Sequence, residues 1–188
     1  MNRKDFLKNC ACGLCTCAAA GLISPTGVSA AETTTKNDGR TQFIKQRFAK
    51  LIEILAGRLD EKTLNEILLE LGRNCSSSIA WIKDYRGDLD GYFKQLKQRW
   101  NDDTTYNREK GVITIASPEM TDCACPLMST RYTPKLACNC SLGWQQQTFE
   151  TILGQKVRVE LKESLLRGGK QCVFEIHVSD VLSARTPG

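Results

Sequence analysis

Apolar residues recur every three or four positions through the first half of the chain and every second position near its end, so the pattern predicts helices followed by strands. Phe43, Ile44, Phe48, Leu51, Ile52 and Leu55, with Lys45, Arg47 and Lys50 between them, predict an amphipathic helix that ends at Gly57. Asp60 is placed to cap a second helix, in which Leu64, Leu68, Leu71 and Cys75 share a stripe and Gly72 is a stop or a kink. On this reading Cys75 is a buried, inert thiol. Ile79 to Tyr85 either prolongs that helix or forms a short piece of its own. After Gly87, Asp88 caps a third helix carrying Leu89, Tyr92, Phe93, Leu96 and Trp100, an aromatic stripe that reads as core rather than as a ligand box.

Asn101-Asp102-Asp103 closes the helical half. Thr104 to Tyr106 and Val112 to Ala116, joined through Asn107 to Gly111, predict a hairpin of β-branched and aromatic residues. Leu142, Phe149, Ile152 and Leu153 return to helical spacing, with Gly154 as the stop. Val157, Val159, Leu161, Glu163 and Leu165 then alternate with Arg158, Glu160 and Lys162. Arg167-Gly168-Gly169-Lys170 turns the chain back into Cys172, Phe174, Ile176 and Val178. The expected fold is α+β: N-terminal helices packed on an antiparallel sheet that ends in a long C-terminal β-hairpin. It occupies one domain over residues 42–180, after a polar leader at 31–41 and before a tail at 181–188. Period-2 alternation puts Cys172 on the apolar face and His177, the one histidine of the chain, on the opposite face as a surface residue.

The first thirty residues read differently. Arg3, Lys4 and Lys8 make a basic start, Cys10 to Val28 is small and apolar, and Val28-Ser29-Ala30 is a small-residue cleavage site, which is the order of an export signal. The apolar run is interrupted by Gly13, Gly21, Pro25 and Gly27 and is too short for a membrane span. Membrane contact is therefore expected only through the export signal, and the address is expected to be periplasmic. Cys10, Cys12, Cys15 and Cys17 have an alternative reading as a small metal cluster. Arg3-Lys4-Asp5-Phe6-Leu7-Lys8 resembles the twin-arginine translocation signal, with Lys4 standing where the second arginine would be; the resemblance implies export of a folded protein.

Composition narrows the function classes. With 188 residues and 41% hydrophobic side chains the chain can bury a core without relying on disulfides. The net charge of +5 forms no basic stripe interleaved with aromatics, which argues against a nucleic-acid partner. Ten cysteines need a separate explanation, because cysteine is retained mainly for its chemistry.

The chemistry is concentrated in Cys123-Ala124-Cys125-Pro126 and Cys138-Asn139-Cys140, with Cys172 on a late strand that can return to them. Three states compete: a tetrahedral site for zinc or another thiophilic metal, two disulfides between the Cys-x-Cys segments, or free thiols with one reactive. Cys138 and Cys140 lie at a helix start, where the dipole is expected to favour thiolate. Cys125 is the candidate nucleophile. A base is hard to find, since His177 faces away; only Glu160 or a metal-bound water could serve, so binding is expected rather than hydrolysis.

Cys138, Gly143, the Leu153-Gly154 helix end, Val157, Glu160, Gly168 and Cys172-Val173-Phe174-Glu175-Ile176 together resemble the 4-vinyl-reductase domain, a small-ligand-binding fold shared with methanogen output domains and the sensor modules of phenol-responsive regulators. The resemblance spans about residues 106–178 and implies helices on an antiparallel sheet around a pocket for a small molecule. It implies zinc ligands at Cys138 and Cys172, with a third at position 164, where this chain has Ser164; Cys140, Cys123 or Cys125 would have to replace it. Cys125-Pro126-Leu127 is also similar to a segment of the L-2-amino-thiazoline-4-carboxylic acid hydrolases, which implies an enzyme with a reactive cysteine.

Overall fold

The computed structural model describes residues 35–178, with side chains from residue 39 onward. The stretch read as an export signal, with Cys10 to Cys17, and the C-terminal tail lie outside the described residues. Helix α1 (Thr35–Ala56) begins inside the stretch read as a leader. It is followed by α2 (Glu61–Ser77), a 3-10 turn at Ala80–Tyr85 and α3 (Leu89–Trp100). Asp60 and Asp88 cap α2 and α3 as their positions predict, accepting from the Thr63 and Gly91 amides.

Strands β1 (Asp103–Asn107) and β2 (Val112–Ala116) form the expected hairpin. Helix α4 (Cys138–Leu153) ends on Gly154, whose φ of 68° gives the left-handed cap that glycine adopts without a Cβ penalty. Strands β3 (Arg158–Glu163) and β4 (Val173–His177) make the C-terminal hairpin, with a bulge between Leu161 and Glu163. All pairings are antiparallel and the order is β1-β2-β4-β3, so β4 sits inside the sheet against β2. The fold is α+β, as the sequence predicts.

Ile113, Ile115, Phe174 and Ile176 cover the inner face of the sheet and pack against Phe149 and Ile152 of α4 and Tyr92 and Leu96 of α3. Helix α4 is central: no residue along it is fully exposed. Its other side meets α2 backbone to backbone. A Cβ added at Gly72 would overlap the Cys140 carbonyl oxygen, and one added at Gly143 would overlap the Leu69 carbonyl oxygen. Gly72 is therefore neither stop nor kink but the point where two helices cross in contact.

That crossing also corrects the stripe expected on α2. The buried positions are Leu64, Leu68, Gly72 and Ser76, while Leu71 and Cys75 are exposed. The helix is rotated toward its small residues because only these permit the approach to α4. Ser76 and Thr148 complete the seam with a buried hydroxyl pair at 2.7 Å. Helix α1 is corrected likewise: it buries Ala49 and Ile52 and leaves Phe43, Ile44 and Leu51 outside.

Candidate thiol site

The loop from Ser117 to Pro134, the start of α4 and the residue preceding β4 bring the predicted cysteines to one end of the domain. Ser117 anchors the convergence: its amide donates to the Cys172 carbonyl at 2.9 Å, and its hydroxyl accepts from the Cys172 amide at 2.9 Å. Farther along, the Met120 amide donates to Lys170. Asp122 ties the same loop to α1 through Lys45 at 2.9 Å and accepts from the Thr130 amide. Burial alone would raise the Asp122 carboxyl, but Lys45 and the Thr130 and Cys123 amides hold it down at about 2.

Cys138 is buried in the first turn of α4, and its thiol donates to Ser164 Oγ at 3.3 Å. Ser164 is itself 2% exposed and also caps the turn after β3. Cys123, Cys125 and Cys140 pack around Cys138 with Met128 and Leu166. Burial, then the neighbouring Cys172 sulfur, then Asp122, Cys138 and Cys125 push the Cys123 thiol up to about 12. Burial raises Cys172 too, with the Cys138 sulfur among the neighbours that add to it. Cys123, Cys138 and Cys172 are thus one electrostatic neighbourhood.

Cys125 and Cys140 form an adjoining second set, which Cys125 links to the first by also acting on Cys123. Burial pushes Cys140 up to about 12, with Cys125 and Cys75 as the contributing sulfurs, and burial raises Cys125, with Cys75 again among its neighbours. At Cys140 burial, followed by the Cys125 and Cys75 sulfurs, opposes the thiolate that the helix start is expected to favour. Cys75, assigned by its spacing to the core, instead lies exposed beside this second group. All six described cysteines are free.

The donors suit a thiophilic ion in type and neighbourhood, since sulfurs from three chain segments influence one another, and one of them, Cys138, meets a buried hydroxyl. Yet no three sulfurs among the described residues lie within 4.8 Å of one another, so an ion would have to draw them together. An open depression of about 870 Å³ lies beside Cys123, walled by Glu119–Ala124 and by Gly169 and Lys170.

The other proposed participants are elsewhere. His177 is on the outer face of the sheet, as alternation predicts, and Glu160 is there with it, bonded to Arg158 and Lys162, which hold its carboxyl low. Neither can act as a base on Cys125. The carboxyl that sequence reasoning missed is Asp102. Continuing the β1 register back by one residue sets it opposite Ser117 and in line with Cys172, and burial, reinforced by Asp103, pushes its pKa up to about 6. Counting the alternation backward from Tyr106 would have assigned Asp102 to the inner face.

Among the described residues no helix is long and apolar enough to cross a membrane. No curated protein matches the chain. Among solved structures it is similar to a trafficking protein particle complex subunit 3 from Naegleria fowleri, covalently bound to palmitic acid, at 13% identity over 74% of this chain and 95% of that one, with a TM-score of 0.47. A vinyl-4-reductase family protein from Methanocaldococcus jannaschii is similar at 16% identity over 79% of this chain and 83% of that one, with a TM-score of 0.36. A family model matches residues 28–183, and the chain accordingly belongs to the family of unknown function DUF6144.

Proposed function

We propose that the protein is an exported domain that binds a thiophilic metal ion, zinc foremost, through Cys123, Cys138 and Cys172. The observation that carries this reading is the mutual influence of three sulfurs from the 117–134 loop, the start of α4 and the residue before β4, with Cys138 held 3.3 Å from the buried Ser164 hydroxyl. Cys123 then takes the place of the ligand that the 4-vinyl-reductase resemblance implies at position 164. Bound metal would supply the positive charge that keeps these sulfurs ionised in a site whose burial otherwise keeps Cys123 and Cys172 protonated.

Binding is favoured over hydrolysis because a nucleophilic cysteine needs a lowered pKa and a base. Burial raises Cys125, and the only histidine is on the far face of the sheet. Elemental analysis of protein isolated without chelator is expected to give about one cysteine-dependent metal ion per chain, counted as the difference between wild type and its cysteine variants. Cys138→Ser and Cys172→Ser should each lose it, and Cys75→Ser should retain it. Metal-free protein with thiols released only by a reductant would overturn the proposal in favour of disulfides. For the exported address, N-terminal sequencing should find residues up to about Ala30 removed; a mature chain that keeps Cys10 to Cys17 would overturn it.

A further inference from the structure

The outer face of the sheet carries a second set of metal-ligating side chains, with no sulfur in it. Glu160 of β3 and Glu175 of β4 are register partners, and His177 lies two residues along β4 on the same face. One ligand atom from each lies within 4.8 Å of the other two. The His177 side chain is only 18% exposed, and its Nε2 is shielded from solvent and makes no hydrogen bond; Glu160 Oε1 is 3.5 Å away without the alignment for one. A shielded imidazole nitrogen facing the Glu160 carboxylate, with Glu175 alongside, lacks the partner that its burial calls for.

From this geometry we propose that Glu160, Glu175 and His177 form a site for a borderline divalent cation such as zinc or cobalt(II), distinct from the thiols. Two carboxylate oxygens and one imidazole nitrogen are a donor set that such ions accept. Donor atoms around a tetrahedral ion stand about 3.3 Å apart, so no pair needs to close by more than about 1.5 Å, within the reach of glutamate rotamers. The cationic position is already expressed in the protein. The Lys162 ammonium lies 3.3 Å from both Glu160 and Glu175, on a flexible and half-exposed stem. Arg158 holds Glu160 from the other side. Lys162 is therefore a built-in competitor that an entering ion displaces into water, and it sets the affinity of the site.

The single histidine makes the test specific, because one imidazole contributes one pair of ring-proton resonances. Cobalt(II) is added stepwise to full-length, metal-free, reduced protein, and the ring resonances are followed together with the near-ultraviolet thiolate charge-transfer band, which reports the cysteines separately. The expected result is a saturable paramagnetic shift of the ring resonances, with a midpoint raised at least tenfold in Glu175→Gln and lowered at least threefold in Lys162→Met. A merely structural salt-bridge network would not tighten on loss of Lys162. Ring resonances unmoved by ten equivalents of cobalt(II), or a midpoint unchanged in both variants, would overturn the proposal. The thiolate band can succeed or fail independently, so the fate of the thiol reading is recorded in the same titration.

Discussion

Burial governs the chemistry of single residues here more than sequence neighbours do. Cys123 and Cys140, in Cys-x-Cys segments that suggest activated thiols, are held protonated by desolvation, while Cys75 is exposed. Iodoacetamide at pH 8 should therefore modify Cys75 at least tenfold faster than either, as read by peptide mass spectrometry; faster labelling of Cys123 would contradict the buried arrangement. Asp102 gives a second expectation. Its folded pKa of about 6 exceeds the ordinary 3.8, so the protein binds its proton more tightly when folded than when unfolded. The stabilisation is complete below about pH 4 and is lost as pH rises through 6. Asp102→Asn should accordingly stabilise the protein at pH 7.5 by about 1 kcal/mol, after allowance for the solvent screening of a half-buried group, and leave it unchanged near pH 4. Urea melts at the two pH values decide it, and equal effects at both would remove the carboxyl's ionisation as the cause.

At the scale of elements, the contact between α2 and α4 determines where the thiols end up. Gly72 presses on the Cys140 carbonyl, so the first turn of α4 and its cysteines are positioned by a glycine on another helix. Gly72→Ala would gain about 1 kcal/mol in helix propensity and lose more to the backbone overlap. The net expectation is a loss of about 2–3 kcal/mol in urea unfolding. Because the overlap falls on α4, the variant should also label Cys140 faster. A neutral or stabilising Gly72→Ala would mean that the helices stand farther apart. Ser76 and Thr148 explain why the seam is polar at its far end: two small hydroxyls satisfy each other where larger side chains would separate the helices.

Across the whole molecule, stability should be graded from the centre outward. Helix α4 and strands β2 and β4 share the apolar core, whereas α1 leaves Phe43, Leu51 and Ile54 exposed and is fastened to the 117–134 loop by Lys45–Asp122 and Gln42–Tyr132. Native-state amide exchange should show the N-terminal half of α1 opening first and β2, β4 and α4 opening last. Lys45→Met should accelerate exchange in α1 and in residues 120–130 together, without altering β2. If exchange in β2 rose equally, α1 would be part of the global unfolding unit instead.

Much of this architecture was legible in the chain itself. Asp60 and Asp88 mark helix starts, Gly154 marks a helix end and the alternation from Val157 to Val178 marks the last hairpin, because capping and strand period are local and depend only on neighbours along the chain. The same alternation correctly separated Cys172 from His177. What the sequence could not determine were the relations that need two distant segments at once. Leu71 and Cys75 read as core because hydrophobic period favours large residues, yet the seam with α4 selects Gly72 and Ser76 by backbone proximity. The gathering of Cys123, Cys125 and Cys140 around Cys138, with Cys75 exposed beside them, follows from helix packing and loop path. The meeting of Glu160, Glu175 and His177 follows from the register of β3 on β4, since only pairing across the sheet sets side chains from separate strands within reach of one ion.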